Sequence, residues 1–135
     1  MSPTTSQEWI KIASERAADA RALLEQRPRS IGTIYLAGYA VECTLKAYLQ
    51  KYGIPVPTSG RGGHDLRNLW YQAGFRLADL GDSAGAKSFF VTLWSTDLRY
   101  ASRIESNCTH EALVQGAAQL VGWIQTQLRR RGRRT

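Results

Sequence analysis

Apolar positions recur at helical spacing along almost the whole chain. Trp9, Ala13, Ala17, Ala20 and Leu24 lie three or four residues apart, which predicts a first helix over Ser6–Gln26. Thr5 and Glu8 have the spacing of a capping box at its start, and Arg27-Pro28 ends it. Ile34, Gly38, Val41, Leu45 and Leu49 form one stripe of a second helix over Ser30–Tyr52. Tyr35, Tyr39, Glu42 and Lys46 form the stripe beside it. Ser30 is its N-cap and Gly53 its stop. Asp65 caps a third helix that turns Leu66, Leu69, Trp70, Ala73, Leu77 and Leu80 inward and breaks at Gly81-Asp82. Ala86, Phe89, Phe90, Leu93 and Trp94 mark a fourth over Ser83–Leu98. Leu113, Ala117, Leu120, Val121, Ile124 and Leu128 mark the last, over Thr109–Arg130. No segment shows the alternation of a strand.

Each inner stripe is one face wide except in the second helix, so the second helix is expected at the centre. Short links favour antiparallel neighbours. The expected fold is all-α, an up-and-down antiparallel helical bundle of about five helices. Residues 1–128 read as a single domain, and 129–135 as a basic, mobile tail. Prolines and glycines make residues 54–64, IPVPTSGRGGH, a loop. Ala37, Gly38 and Ala40 are small enough to let a neighbouring helix come close.

The central helix contains an anomaly. Between Arg29 and Lys46 the only charge is Glu42, set among Ala, Gly, Tyr, Val, Leu and Cys. A carboxylate buried there needs a partner. Lys46 lies at i, i+4 in the favourable order, but a surface-type pair of this kind contributes only ~0.2–0.5 kcal/mol. A guanidinium, which bonds a carboxylate through two N–H groups, is the stronger candidate. Arg99 and Arg103 follow an apolar helix and fit that role. The alternative is an ion pair that only fixes packing.

Composition narrows the setting. Hydrophobic residues at 43% and charged residues at 21% suit a packed domain and not a disordered chain. No apolar run is long enough to span a membrane, and MSPTTSQEW lacks the basic-then-apolar order of a secretory signal. Cys43 and Cys108 have no metal-type spacing and read as reduced thiols, so a cytoplasmic location is expected. The net charge is +7, with fourteen arginines against four lysines. Arginine suits phosphate and base contact, although a genome rich in G and C gives the same excess. The tail is a stronger signal, because LRRRGRRT holds five arginines in six positions.

Two segments carry candidate chemistry. TSGRGGHDL sets glycines, Arg61 and His64 before a helix start, where free N–H groups receive phosphate. It lacks the Gly-Lys-Ser/Thr and the preceding strand of a nucleotide-hydrolase loop, and a plain loop is the competing reading. LRYASRIESNCTHE brings Arg99, Tyr100, Arg103, Asn107 and His110 together, a set able to bind a phosphodiester and move a proton. No Ser/His/Asp arrangement and no carboxylate cluster for a metal is present, and no cofactor is expected.

The run YLAGYAVECTLKAYLQKYG, then GHDLRNLW, then WSTDLRY, resembles the HEPN domain (higher eukaryotes and prokaryotes nucleotide-binding) over roughly residues 8 to 128. The resemblance implies an all-helical bundle, commonly a homodimer, in toxin–antitoxin, anti-phage defence or RNA-processing systems. It also implies a small nucleotidyltransferase as a frequent partner. Catalytic members are metal-independent ribonucleases with an Arg, four to six residues, then a His, and usually a polar residue directly after the Arg. Arg103 and His110 match the spacing, but Ile104 departs from the pattern. Arg99-Tyr100 is more similar to a branch without the ribonuclease motif.

These features define three readings. In the preferred one, Glu42, Lys46, His64, Arg99 and Tyr100 line a polar notch that binds RNA or a nucleotide. Glu42 orients Arg99, and Arg99 and Lys46 meet the phosphate. In the second, His110 is the general acid or base of an endoribonuclease and Arg103 steadies the phosphorane. In the third, the chain is a protein-interaction subunit and the notch is purely structural.

Overall fold

In the computed structural model the described residues are 3–57, 65–82, 85–95, 97–98 and 107–133, with side chains through 130. They form an all-α bundle of α1 (Ser6–Gln26), α2 (Ile31–Lys51), α3 (Leu66–Gln72), a 3₁₀ turn (Leu77–Leu80), α4 (Ala86–Thr92) and α5 (His110–Arg133). No strand occurs among the described residues.

The helix ends follow local chemistry. The Thr5 hydroxyl accepts the Glu8 N–H at 3.2 Å, and it also donates to Glu8 Oε1 at 3.1 Å. The Ser30 hydroxyl accepts the Gly32 N–H at 3.2 Å. Asp65 accepts from the N–H groups of Arg67 and Asn68 at 3.1 and 3.3 Å. These bonds satisfy N–H groups that have no partner inside the helix.

The third and fourth helices are shorter than the sequence predicts. α3 stops at Gln72, because Gly74 turns the chain at φ +86°. The Trp70 indole N–H then bonds the Arg76 carbonyl at 3.0 Å, and Phe75 tucks between Trp70 and Trp123. Leu77 and Leu80 therefore belong to a separate 3₁₀ turn, and Leu77 is exposed. α4 runs only over Ala86–Thr92, and Leu93 is 64% exposed. The apolar stripe was compatible with longer helices, but glycine punctuation and the aromatic cluster decided the bounds. Conversely, α5 continues past Arg130 to Arg133.

α2 is the centre of the bundle. From Ala40 to Leu49 every residue is buried. α1 packs along it antiparallel, and α5 packs along it parallel, as the Tyr52 hydroxyl donating to the Leu128 carbonyl fixes. The larger core joins α2, α3, α4 and α5, and a smaller one joins Trp9, Ala13, Cys43 and Ala47 between α1 and α2. The close approach at Gly38 is made by a side chain. A Cβ there would sit 2.1 Å from the Trp94 indole, whose N–H donates to the Ile34 carbonyl at 3.2 Å.

Candidate functional site

Of the sequence candidates, Glu42, Lys46 and His110 are described. His64, Arg99, Tyr100 and Arg103 lie outside the described residues, as does most of the TSGRGGHDL loop. The described three divide between two places.

Glu42 and Lys46 sit one helical turn apart on α2, in the seam with α1. Lys46 Nζ donates to Glu42 Oε2 at 3.0 Å, with the side chains 3% and 1% exposed. Nζ also lies 5.2 Å from the centroid of the Trp9 ring. Trp9 is itself buried, so the indole closes the seam over the ammonium. Lys46 is not the sole partner of Glu42. A pair this dry gains little over an apolar replacement, yet breaking it by removing one member costs ~3–5 kcal/mol. A phosphate reaches Nζ only if the seam around Trp9 opens.

The carboxylate colours its neighbours. Burial, with the Glu42 charge second, pushes the Cys43 thiol up to about 12. The same two causes raise the Tyr39 phenol. Cys43 is thus an inert core thiol and not a nucleophile.

His110 opens α5 at the other end of α1. Thr109 caps this helix, its hydroxyl accepting the Ala112 N–H at 3.0 Å. Leu24, Glu25, Pro28, Arg29, Thr109, His110 and Glu111 line an open groove of about 670 Å³. His110 Nδ1 is buried and has no hydrogen-bond partner. A buried polar nitrogen left in that state costs ~1–3 kcal/mol, which a ligand or water bonded to it would recover. Arg29 brings a cation to the groove, against the carboxylates of Glu25 and Glu111.

Two contributors were absent from the candidates read in the sequence. Trp9 was one core position among five, and nothing local tied it to Lys46. Arg29 lies in the link between α1 and α2, far from His110 in sequence. Only the antiparallel pairing of α1 with α5 brings them together. Among the described residues no group of three or more His, Cys, Asp or Glu is placed to hold a metal ion, and no helix is long and apolar enough to cross a membrane.

Compared with known protein families, the chain matches the HEPN domain over residues 6–125. No curated protein and no solved structure matches it. The match covers most of the chain, and the chain belongs to the HEPN domain family.

Proposed function

We propose that this HEPN-domain chain binds RNA or a nucleotide, as a component of a toxin–antitoxin or anti-phage defence module with a nucleotidyltransferase partner. The observation that carries the reading is the family match over residues 6–125, a span that contains every candidate residue from Glu42 to His110. In this reading Glu42 orients Arg99. Arg99 binds a phosphate, Tyr100 stacks on a base or donates its hydroxyl, and His64 completes the notch. The burial of Lys46 against Glu42 and Trp9 supports a positioning role for it in place of phosphate contact. The chain acts as a homodimer, and Cys43 and Cys108, which form no disulfide among the described residues, accord with a cytoplasmic setting. The test is a titration of labelled tRNA and of adenine nucleotides with wild type, Arg99→Ala and Tyr100→Phe. Loss of at least tenfold in affinity in Arg99→Ala is expected. Equal affinity in all three proteins would remove the notch.

A second reading is favoured by His110, which lines an open groove and holds a buried Nδ1 without a hydrogen-bond partner. Here the chain is a metal-independent endoribonuclease. The RNA 2′-hydroxyl attacks the adjacent phosphorus, the 5′-oxygen leaves, and a 2′,3′-cyclic phosphate remains. His110 transfers the proton and Arg103 stabilises the phosphorane. Cleavage of RNA in the presence of a chelator, lost in both His110→Ala and Arg103→Ala, would favour this reading over the first.

A further inference from the structure

We infer that the C-terminal end of α5 is a second contact site, a docking arm for the phosphate backbone of an RNA strand, remote from the notch. The inference deepens the binding reading above, because it selects a polynucleotide over a mononucleotide.

The charge of the chain is concentrated in this arm. Residues 129–135 hold five arginines and no acid, which is +5 of the net +7. The preceding 128 residues hold thirteen basic and eleven acidic side chains and are almost balanced at +2. α5 carries the first four of these arginines, Arg129, Arg130, Arg131 and Arg133, and Arg129 and Arg130 are exposed. At 1.5 Å per residue, Arg129 stands about 28 Å along the helix axis from His110. The arm and the groove are thus opposite ends of one rigid element.

The helix dipole favours cations in the last turn, but it acts on lysine and arginine alike and so does not select arginine. The composition favours nucleic acid over a lipid surface. Residues 129–135 contain no apolar side chain to insert, and an interfacial helix needs an apolar face. All five cations are arginine, whose planar fork bonds phosphate through two N–H groups.

The test is a salt titration of binding to a fluorescent 20-nucleotide oligouridylate. The proteins are the full chain, a variant with Arg129, Arg130, Arg131, Arg133 and Arg134 all changed to Gln, and a variant with only Arg131, Arg133 and Arg134 changed. Each phosphate contact on a single strand contributes about 0.7 to the slope of log affinity against log salt. The five-fold variant should lose up to about 3.5 of slope and the three-fold variant up to about 2.1. Between 50 and 200 mM salt the full chain should then lose about 100-fold more affinity than the five-fold variant. Circular dichroism of each variant checks that the bundle is intact. A slope change below about 0.7 in the five-fold variant would overturn the inference. So would binding to phosphatidylserine vesicles with none to the oligonucleotide. Arg99→Ala in the same titration should lose about 0.7 of slope, the share of one phosphate, and keep the larger part that the arm supplies. Failure of the notch and failure of the arm therefore give different results.

Discussion

Two regions of this bundle treat charge in opposite ways. In the seam of α1 and α2, Glu42 and Lys46 are dry, bonded at 3.0 Å and closed over by Trp9. At the far end of α1, His110 and Arg29 stand in an open groove, and a ring nitrogen of His110 is left without a partner. A buried, paired charge has spent its capacity on the protein. A buried polar atom without a partner still has its bonding capacity to give. The seam should therefore answer to measurements of stability, and the groove to measurements of ligands.

The largest effect tests the seam. Glu42→Gln and Lys46→Met each leave one buried charge behind, and each should lower unfolding free energy by ~3–5 kcal/mol in denaturant titrations. The double variant should lose much less than the sum. Additive losses would mean that the two side chains are not coupled. Next, Gly38→Ala drives a methyl into the Trp94 indole and should cost ~1–3 kcal/mol, with a shift in tryptophan emission. Unchanged stability and emission would show that Trp94 does not pack there.

A smaller effect lies at the start of α4. Burial works to raise the Asp82 carboxyl, but hydrogen bonds outweigh it, led by the Ser88 N–H at 2.7 Å, and hold the group below its usual value. A depressed carboxyl contributes stability that is present above the unfolded value, ~3.9, and is lost as pH falls through the folded one. Asp82→Asn should lower stability slightly at pH 7 and remove part of the decline in stability below pH 4. An identical acid limb in wild type and variant would contradict this. The smallest effect is in the groove. His110→Ala should not lower stability, because it removes a buried nitrogen that has no partner, while altering RNA binding or cleavage. A large loss of stability would make His110 a structural residue.

Most of the fold was legible because it is local. Thr5, Ser30 and Asp65 cap the helices that the apolar periods outlined, and the breadth of the apolar surface on α2 marked it as central. The short α3 and α4 were not legible. Their bounds depend on Gly74 and on Phe75 meeting Trp70 and Trp123, contacts between distant segments. The site was legible in the same uneven way. An isolated Glu42 with Lys46 one turn later announced a pair, whereas the Trp9 lid and the meeting of Arg29 with His110 required the packing of α1 against its neighbours.

The most direct test of the account is equilibrium binding of labelled tRNA to wild type and Arg99→Ala, at 200 mM salt to mute the arginines of the arm and with a chelator present. Measurable binding by wild type and at least a tenfold loss in Arg99→Ala are expected, with the helical circular dichroism of both proteins intact. Equal binding by the two proteins, or none by either, would contradict the account.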